Sequence, residues 1–142
     1  MANPLGLYLH LTVSDGDRAL AWYASVFGAE LKARHMAEDQ RRVLFAILSM
    51  FGGHVFVSDV FAEASPDTQA PSASIPPTCT LHVDLQDPTD VNAIVNRAEA
   101  AGAAVTMRPE DVYWGDRYGR IRDPFGHVWS FGARAQTQDP TS

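Results

Sequence analysis

The chain has 142 residues, 46% of them hydrophobic and 20% charged, enough for one globular domain or for two half-domains sharing a core. Its net charge of −6 and pI near 5.2 exclude the clustered basic surface on which phosphate-backbone binding rests, so nucleic acid is not an expected partner. An acidic balance instead favours cationic small molecules. Cys79 is the single cysteine, which excludes an intrachain disulfide and any multi-cysteine zinc or iron–sulfur site; it is expected to be a small buried apolar residue. No apolar run approaches the length of a membrane helix, and MetAlaAsnProLeuGly lacks the basic-then-apolar pattern of a secretion signal. The expected location is therefore cytoplasmic, with no membrane partner.

Leu5, Leu7, Leu9, Leu11 and Val13 alternate with Tyr8, His10 and Thr12, which predicts a strand with an aliphatic face against helices and an opposite face bearing an aromatic ring and an imidazole. Ser14 or Asp15 offers a helix N-cap. Ala19, Leu20, Trp22, Tyr23, Val26 and Phe27 then recur at helical spacing up to Gly28, which is suited to end the helix in a left-handed conformation. Strands are expected over Ala29–Met36 and Arg41–Phe51, separated by a turn at AlaGluAspGln, and Gly52-Gly53 turns the chain into His54–Val60.

Ala62–Pro77, rich in Ala, Ser and Pro, has no core-forming pattern and is either a linker or a lid. The order then repeats. Thr78–Leu85 is a strand, Asp87-Pro88 begins a helix that runs through Ala101 to Gly102, and Ala103–Arg108 is a strand. Val112–Tyr118, Gly119–Arg122 and His127–Gly132 supply the remaining two strands around the turn at Asp123–Gly126.

The same order arises because the chain contains itself twice. LeuHisLeuThrValSerAsp at Leu9–Asp15 returns as LeuHisValAspLeuGlnAsp at Leu81–Asp87, and Gly53-His54-Val55-Phe56 returns as Gly126-His127-Val128-Trp129. His10 and His54 are 44 positions apart and His82 and His127 are 45 apart, so a whole module is repeated. Two such modules make a seam in which a ligand is expected.

Two segments carry a family resemblance: TrpTyrAlaSerValPheGlyAlaGlu at Trp22–Glu30 and TyrTrpGlyAspArgTyrGlyArgIleArgAspProPheGlyHisValTrp at Tyr113–Trp129. Over Leu7 to Gly132 the chain resembles the vicinal oxygen chelate superfamily, the group of glyoxalase I, bleomycin-resistance proteins and extradiol dioxygenases, and its tail is most similar to the PhnB-like and bleomycin-resistance-like members. The resemblance implies an α+β fold of two tandem βαβββ modules, at 5–61 and 78–134, with curled mixed sheets around a cleft and pairing in a homodimer. Residues 62–77 are then the linker and 135–142 a flexible tail.

The resemblance also raises the question of a metal, because catalytic members hold one divalent ion with His and Glu side chains from four strands. Aligned on ThrValSerAsp, the first ligand position falls at Tyr8 and its second-module counterpart at Thr80. The last Glu position falls at Ser130, which the internal repeat carries back to Val57. None of these is a ligand of the usual type, and a divalent ion needs three or four N, S or carboxylate donors. His10 and His82 lie two residues beyond the first pair of positions and are expected on the same interior face, as hydrogen-bonded cleft histidines repeated by duplication. The alternative is a metal held there at a non-standard site with help from a carboxylate. His54 and His127 are expected to turn to the other face, and His35 has no repeat partner.

No catalytic residue is assigned. Ser58 and Ser130 lack the GlyXaaSerXaaGly elbow, no Cys–His neighbourhood is visible, and Glu110-Asp111 reads as solvated charge. Tyr113, Trp114, Asp116, Arg117 and Tyr118, with Trp129 and Phe131 after the turn, have the mixture of apolar walls and fixed polar groups found in small-molecule pockets. Asp116 and Arg117 serve equally well as a structural pair, and Trp22, Tyr23 and Phe27 belong to the core. The expected ligand contacts are Tyr8, His10, His82, Tyr113, Trp114, Arg117 and Trp129. The expected function is metal-free and cofactor-free binding of an aromatic or cationic small molecule. The alternatives are a lyase, isomerase or dioxygenase using a metal near His10 and His82, or a purely structural role.

Overall fold

In the computed structural model, which describes residues 2–135, each half of the chain runs strand, helix, then three strands. The first half comprises β1 (Leu9–Thr12), α1 (Gly16–Phe27), β2 (Glu30–Met36), β3 (Val43–Met50) and β4 (Gly53–Ser58). The second comprises β5 (Thr80–Leu85), α2 (Pro88–Ala100), β6 (Ala104–Asp111), β7 (Asp116–Arg122) and β8 (Val128–Arg134). Sheet orders are β1-β4-β3-β2 and β5-β8-β7-β6, with the first strand of each module parallel to its last and the other pairs antiparallel. The fold is thus α+β, two tandem βαβββ modules with mixed sheets. The chain divides into two compact units between Pro71 and Ser72, within the Ala/Ser/Pro-rich segment. The tail from residue 136 onward lies outside the described residues.

Local chemistry sets the element boundaries. The Asp15 carboxylate accepts from the Arg18 amide to cap α1, and Gly28 closes it with φ 68°. Asp87 caps α2 through the Thr89 amide, with Pro88 in the first turn. Phe51 and Gly52, with φ of 51° and 76°, form a two-residue hairpin turn whose twist suits the flanking strands β3 and β4.

In the first unit Val13, Tyr23, Val26, Val43, Leu48 and Val57 are fully buried or nearly so, where α1 packs on its sheet. In the second unit Val91, Val95, Ile121, Trp129 and Phe131 fill the same place beneath α2. Each such aliphatic side chain stabilises by about 1.5–3 kcal/mol on burial.

Three local expectations are corrected. The strand predicted from Leu5 begins only at Leu9, since β4 pairs with Leu9–Thr12 and offers no ladder to earlier residues; Leu5 and Leu7 are 98% exposed. Cys79 is exposed just ahead of β5. Finally, β6 continues to Asp111, with register shifts around Met107–Glu110 that accommodate Pro109, so Tyr113 and Trp114 fall in the turn before β7 rather than in a strand. Among the described residues, no helix is long and apolar enough to cross a membrane.

Candidate functional site

Strand alternation sends Tyr8, His10, Phe45, Phe56 and Ser58 to the face of the first sheet away from α1, while Ala46, Leu48, Val55 and Val57 are buried. The exposed face is a run of rings: His35 stacks on Phe45 at 4.6 Å between centroids, Phe45 on Phe56 at 6.2 Å, and Phe56 on Tyr8 at 5.8 Å. His10 meets Phe56 edge-on at 6.0 Å, and His54 meets Tyr8 at 5.3 Å.

A cavity of about 480 Å³ adjoins this run, within the size range of small-molecule pockets. Its wall comes from His10, Thr12, Leu44, Ser58 and Asp59, and its cover from Phe61, Ala64, Ser65 and Thr68 of the segment after β4. His10 Nε2 and Ser58 Oγ share a hydrogen bond of 2.8 Å, and partial burial holds the imidazole below its ordinary pKa, hence neutral at pH 7. Buried Asp59 accepts from the Gly16 amide at 2.9 Å and the Val43 amide at 2.7 Å, fixing the start of α1 and of β3 to the cavity wall. The approach requires glycine, since a Cβ on Gly16 would lie 2.6 Å from Asp59 Oδ2.

Arg42 anchors the cover. Its guanidinium donates to Asp39 at 2.8 Å, to Glu63 at 2.9 Å and to the Val60 carbonyl at 3.2 Å, and lies 4.2 Å from the centre of the Phe61 ring. Hydrogen bonds to Arg42 lower the Glu63 pKa; those from the Arg42 and Arg41 amides lower that of Asp39.

The second unit repeats the central pair. His82 Nδ1 and Ser130 Oγ are 2.8 Å apart, with the same 48-residue separation as His10 and Ser58. The His82 ring is stacked with Tyr118 at 6.1 Å and lies over Gly132, where a Cβ would come within 3.1 Å of its Cε1. Arg120 Nη2 donates to Thr80 Oγ1 at 2.9 Å, and Arg122 Nη2 to the Ser72 carbonyl at 3.0 Å.

The ligand contacts expected from sequence separate into groups. Tyr8 and His10 join the ring face and cavity of the first unit, and His82 takes the matching place in the second. Trp114 is partly exposed, edge-on to Tyr118 at 5.5 Å, with Nε1 donating to Asp116, while Tyr113 is 97% exposed in the turn. Arg117 points the opposite way from Tyr118, donating to Asn92 of α2 at 3.0 Å and to Asp111 at 3.3 Å. Trp129 is a core residue, 2% exposed, its Nε1 held by Asp123 at 2.9 Å. Neighbours along a strand face opposite sides, which removes Arg117 and Trp129 from the face carrying His82 and Ser130.

Two register assignments change with this geometry. Val57 is buried against α1, and Ser58 is the counterpart of Ser130, because Ser58 and Ser130 follow His10 and His82 by equal steps. His54, expected on the other face, shares the exposed face with Tyr8. Residues of the cavity that the sequence reading missed are Thr12, Leu44, Asp59 and the cover; the equal spacing of the two His–Ser pairs was the signal for Ser58.

The divalent ion of the superfamily's metalloenzymes does not fit these residues. Among the described residues no three His, Cys, Asp or Glu side chains converge as donors. His10 and His82 each face a serine hydroxyl of their own unit, and both oxygens of Asp59 are engaged by backbone amides.

Comparison with known proteins agrees with the module order. The profile of the Glyoxalase/Bleomycin resistance protein/Dioxygenase superfamily matches residues 7–131. An uncharacterized protein of Mycobacterium tuberculosis, Rv0887c, is 36% identical over 124 residues, which span 87% of this chain and 71% of that protein. Among solved structures, TioX from Micromonospora sp. ML1 is 30% identical with a TM-score of 0.69, covering 93% of this chain and 100% of TioX. PhnB protein from Bacillus cereus, at 15% identity and a TM-score of 0.70 over 89% of this chain and 98% of its own, shares the fold. The chain belongs to the glyoxalase/bleomycin resistance protein/dioxygenase superfamily.

Proposed function

We propose that the protein binds an aromatic small molecule, without a metal, in the first-unit cavity. The observation that carries this reading is the cavity itself: about 480 Å³, walled in part by Phe61 and Leu44 and containing a neutral His–Ser pair with a few further hydroxyls. Phe61 and Leu44 supply apolar wall; Thr12, Ser65 and Thr68 supply hydroxyl groups to orient a ligand. The charged groups at and beside the cavity already have hydrogen-bond partners, since both Asp59 oxygens accept from backbone amides and Arg42 donates to Asp39 and Glu63, and the reading is therefore of a neutral aromatic ligand with hydrogen-bonding substituents.

The test is a thermal-shift screen of neutral aromatic amides and phenols on the wild type and on Ala64→Phe, whose ring enters the cavity from the exposed cover. A ligand held only by the native state raises the unfolding midpoint. Compounds that stabilise the wild type and lose that effect in Ala64→Phe, with the ligand-free midpoint unchanged, support the site; equal stabilisation of both removes it.

One observation favours a second reading, acid–base chemistry in the same cavity: neutral His10 is in contact with the Ser58 hydroxyl. Mass analysis of a recovered ligand separates the two, an unchanged compound supporting binding and an altered one supporting an enzyme.

A further inference from the structure

The sheet of the second unit presents a different chemistry on its face away from α2. Register places Arg122 beside Val128, Arg120 beside Ser130, Tyr118 beside Gly132 and Asp116 beside Arg134. The Arg120 and Arg122 guanidinium groups therefore share one end of this face, and Arg134 lies at the other beside Asp116. Its acids, Asp84, Glu110 and Asp116, pair in register with Gly132, Tyr118 and Arg134 at the other end.

The arginines at this end are left without counter-ions in an acidic chain. Arg34, Arg42, Arg108 and Arg117 each bridge to a carboxylate. Among the described residues, Arg120 has only the Thr80 hydroxyl and Arg122 only the Ser72 carbonyl. Arg120 Nε is, moreover, the one buried side-chain nitrogen or oxygen among the described residues with no hydrogen-bond partner. A buried donor of a charged group left unsatisfied is costly, and such positions are relieved when a ligand supplies the acceptor.

We infer that this face binds a small organic carboxylate attached to an aromatic ring. Arg120 and Arg122 supply the charge, and the planar fork of Arg120 suits a carboxylate's two oxygens. Thr80 and the His82–Ser130 pair border the anion, and the near-parallel rings of His82 and Tyr118, both next to side-chain-free Gly132, give the ligand's ring a surface. The site uses no residue of the first-unit cavity and stands whether or not that cavity binds a ligand.

Benzoate is the probe, titrated by calorimetry into the full chain at low ionic strength. Saturable binding is expected, with Arg120→Gln weakening it at least about tenfold, Arg122→Gln a few-fold, and the exposed Arg41→Gln not at all. Acetate, which has the charge but no ring, is expected to bind more weakly than benzoate. Absence of benzoate binding, equal binding by Arg120→Gln, or an equal loss in Arg41→Gln overturns the proposal; acetate matching benzoate overturns the role given to the rings. Should Arg120→Gln fail to fold, Arg120→Lys decides the matter, since it keeps the charge but loses the fork: unchanged affinity contradicts the site and weakened affinity supports it.

Discussion

The two units share an order of elements, a sheet topology and a His–Ser pair at matching places, yet the faces around those pairs differ in kind. Around His10 and Ser58 the sheet displays Tyr8, Phe45 and Phe56; around His82 and Ser130 it displays Thr80, Tyr118, Arg120 and Arg122. Thr80 stands where the first unit has Tyr8, and the strand beside the serine carries an arginine in one unit and a phenylalanine nearby in the other. The helix-facing positions are bound by packing and stay apolar in both units. The exposed-face positions carry no such constraint, and a duplicated scaffold can therefore carry one ring-lined face and one face with an arginine pair at one end on the same backbone.

The deepest prediction concerns what holds each face in place. Asp123 accepts from the Phe125 and His127 amides of the buried turn before β8 and from Trp129 Nε1 of β8 itself, whereas Asp59 accepts from two amides. Asp123→Ala is expected to destabilise by on the order of 4 kcal/mol and Asp59→Ala by about 3 kcal/mol, from the buried donors each leaves unsatisfied. Urea unfolding measures both; losses under about 1 kcal/mol would mean that water satisfies these amides and that neither aspartate is a keystone of its unit.

A smaller effect sharpens the comparison of the pairs. Ser58→Ala is expected to weaken binding of a neutral aromatic in the first unit by roughly 1 kcal/mol and leave benzoate affinity alone, with Ser130→Ala doing the reverse. Cross-effects of equal size would show that the two faces act as one site.

The smallest effect is in pH. His10 has a folded pKa below its ordinary value, so the unfolded chain binds more protons between the two values, and stability falls as pH drops through the histidine range. His10→Gln is expected to flatten the stability difference between about pH 7.5 and about pH 5.5, measured by urea unfolding at each, and an unchanged slope would place the titration elsewhere.

Much of this architecture was legible in the sequence because it rests on local rules. Alternation, helical spacing, the caps at Asp15, Gly28 and Asp87, and the internal repeat together specify two βαβββ modules. The site was legible only in part. His10, His82 and Tyr8 could be placed by strand parity, but Arg117 and Trp129 were grouped by nearness in the chain, and nearness does not separate the two faces of a strand. The GlyHisVal repeat runs one residue out of step with the His–Ser repeat, which hid Ser58 behind Val57. The cavity's cover lies in a segment whose composition advertises only a connector; what fixes it is Arg42, 21 residues before Glu63, a contact that no periodicity announces.

The central claim, that the two faces take ligands of different charge, is tested most directly by two probes that differ in little else. Amide chemical shifts of the nitrogen-15-labelled chain would be followed while benzamide, and separately benzoate, is titrated in. Benzamide is expected to perturb Thr12, Ser58 and the Phe61–Thr68 cover, and benzoate to perturb Thr80, His82 and the Tyr118–Arg122 strand. Perturbation of the same amides by both probes, or benzoate settling in the first-unit cavity, would contradict it.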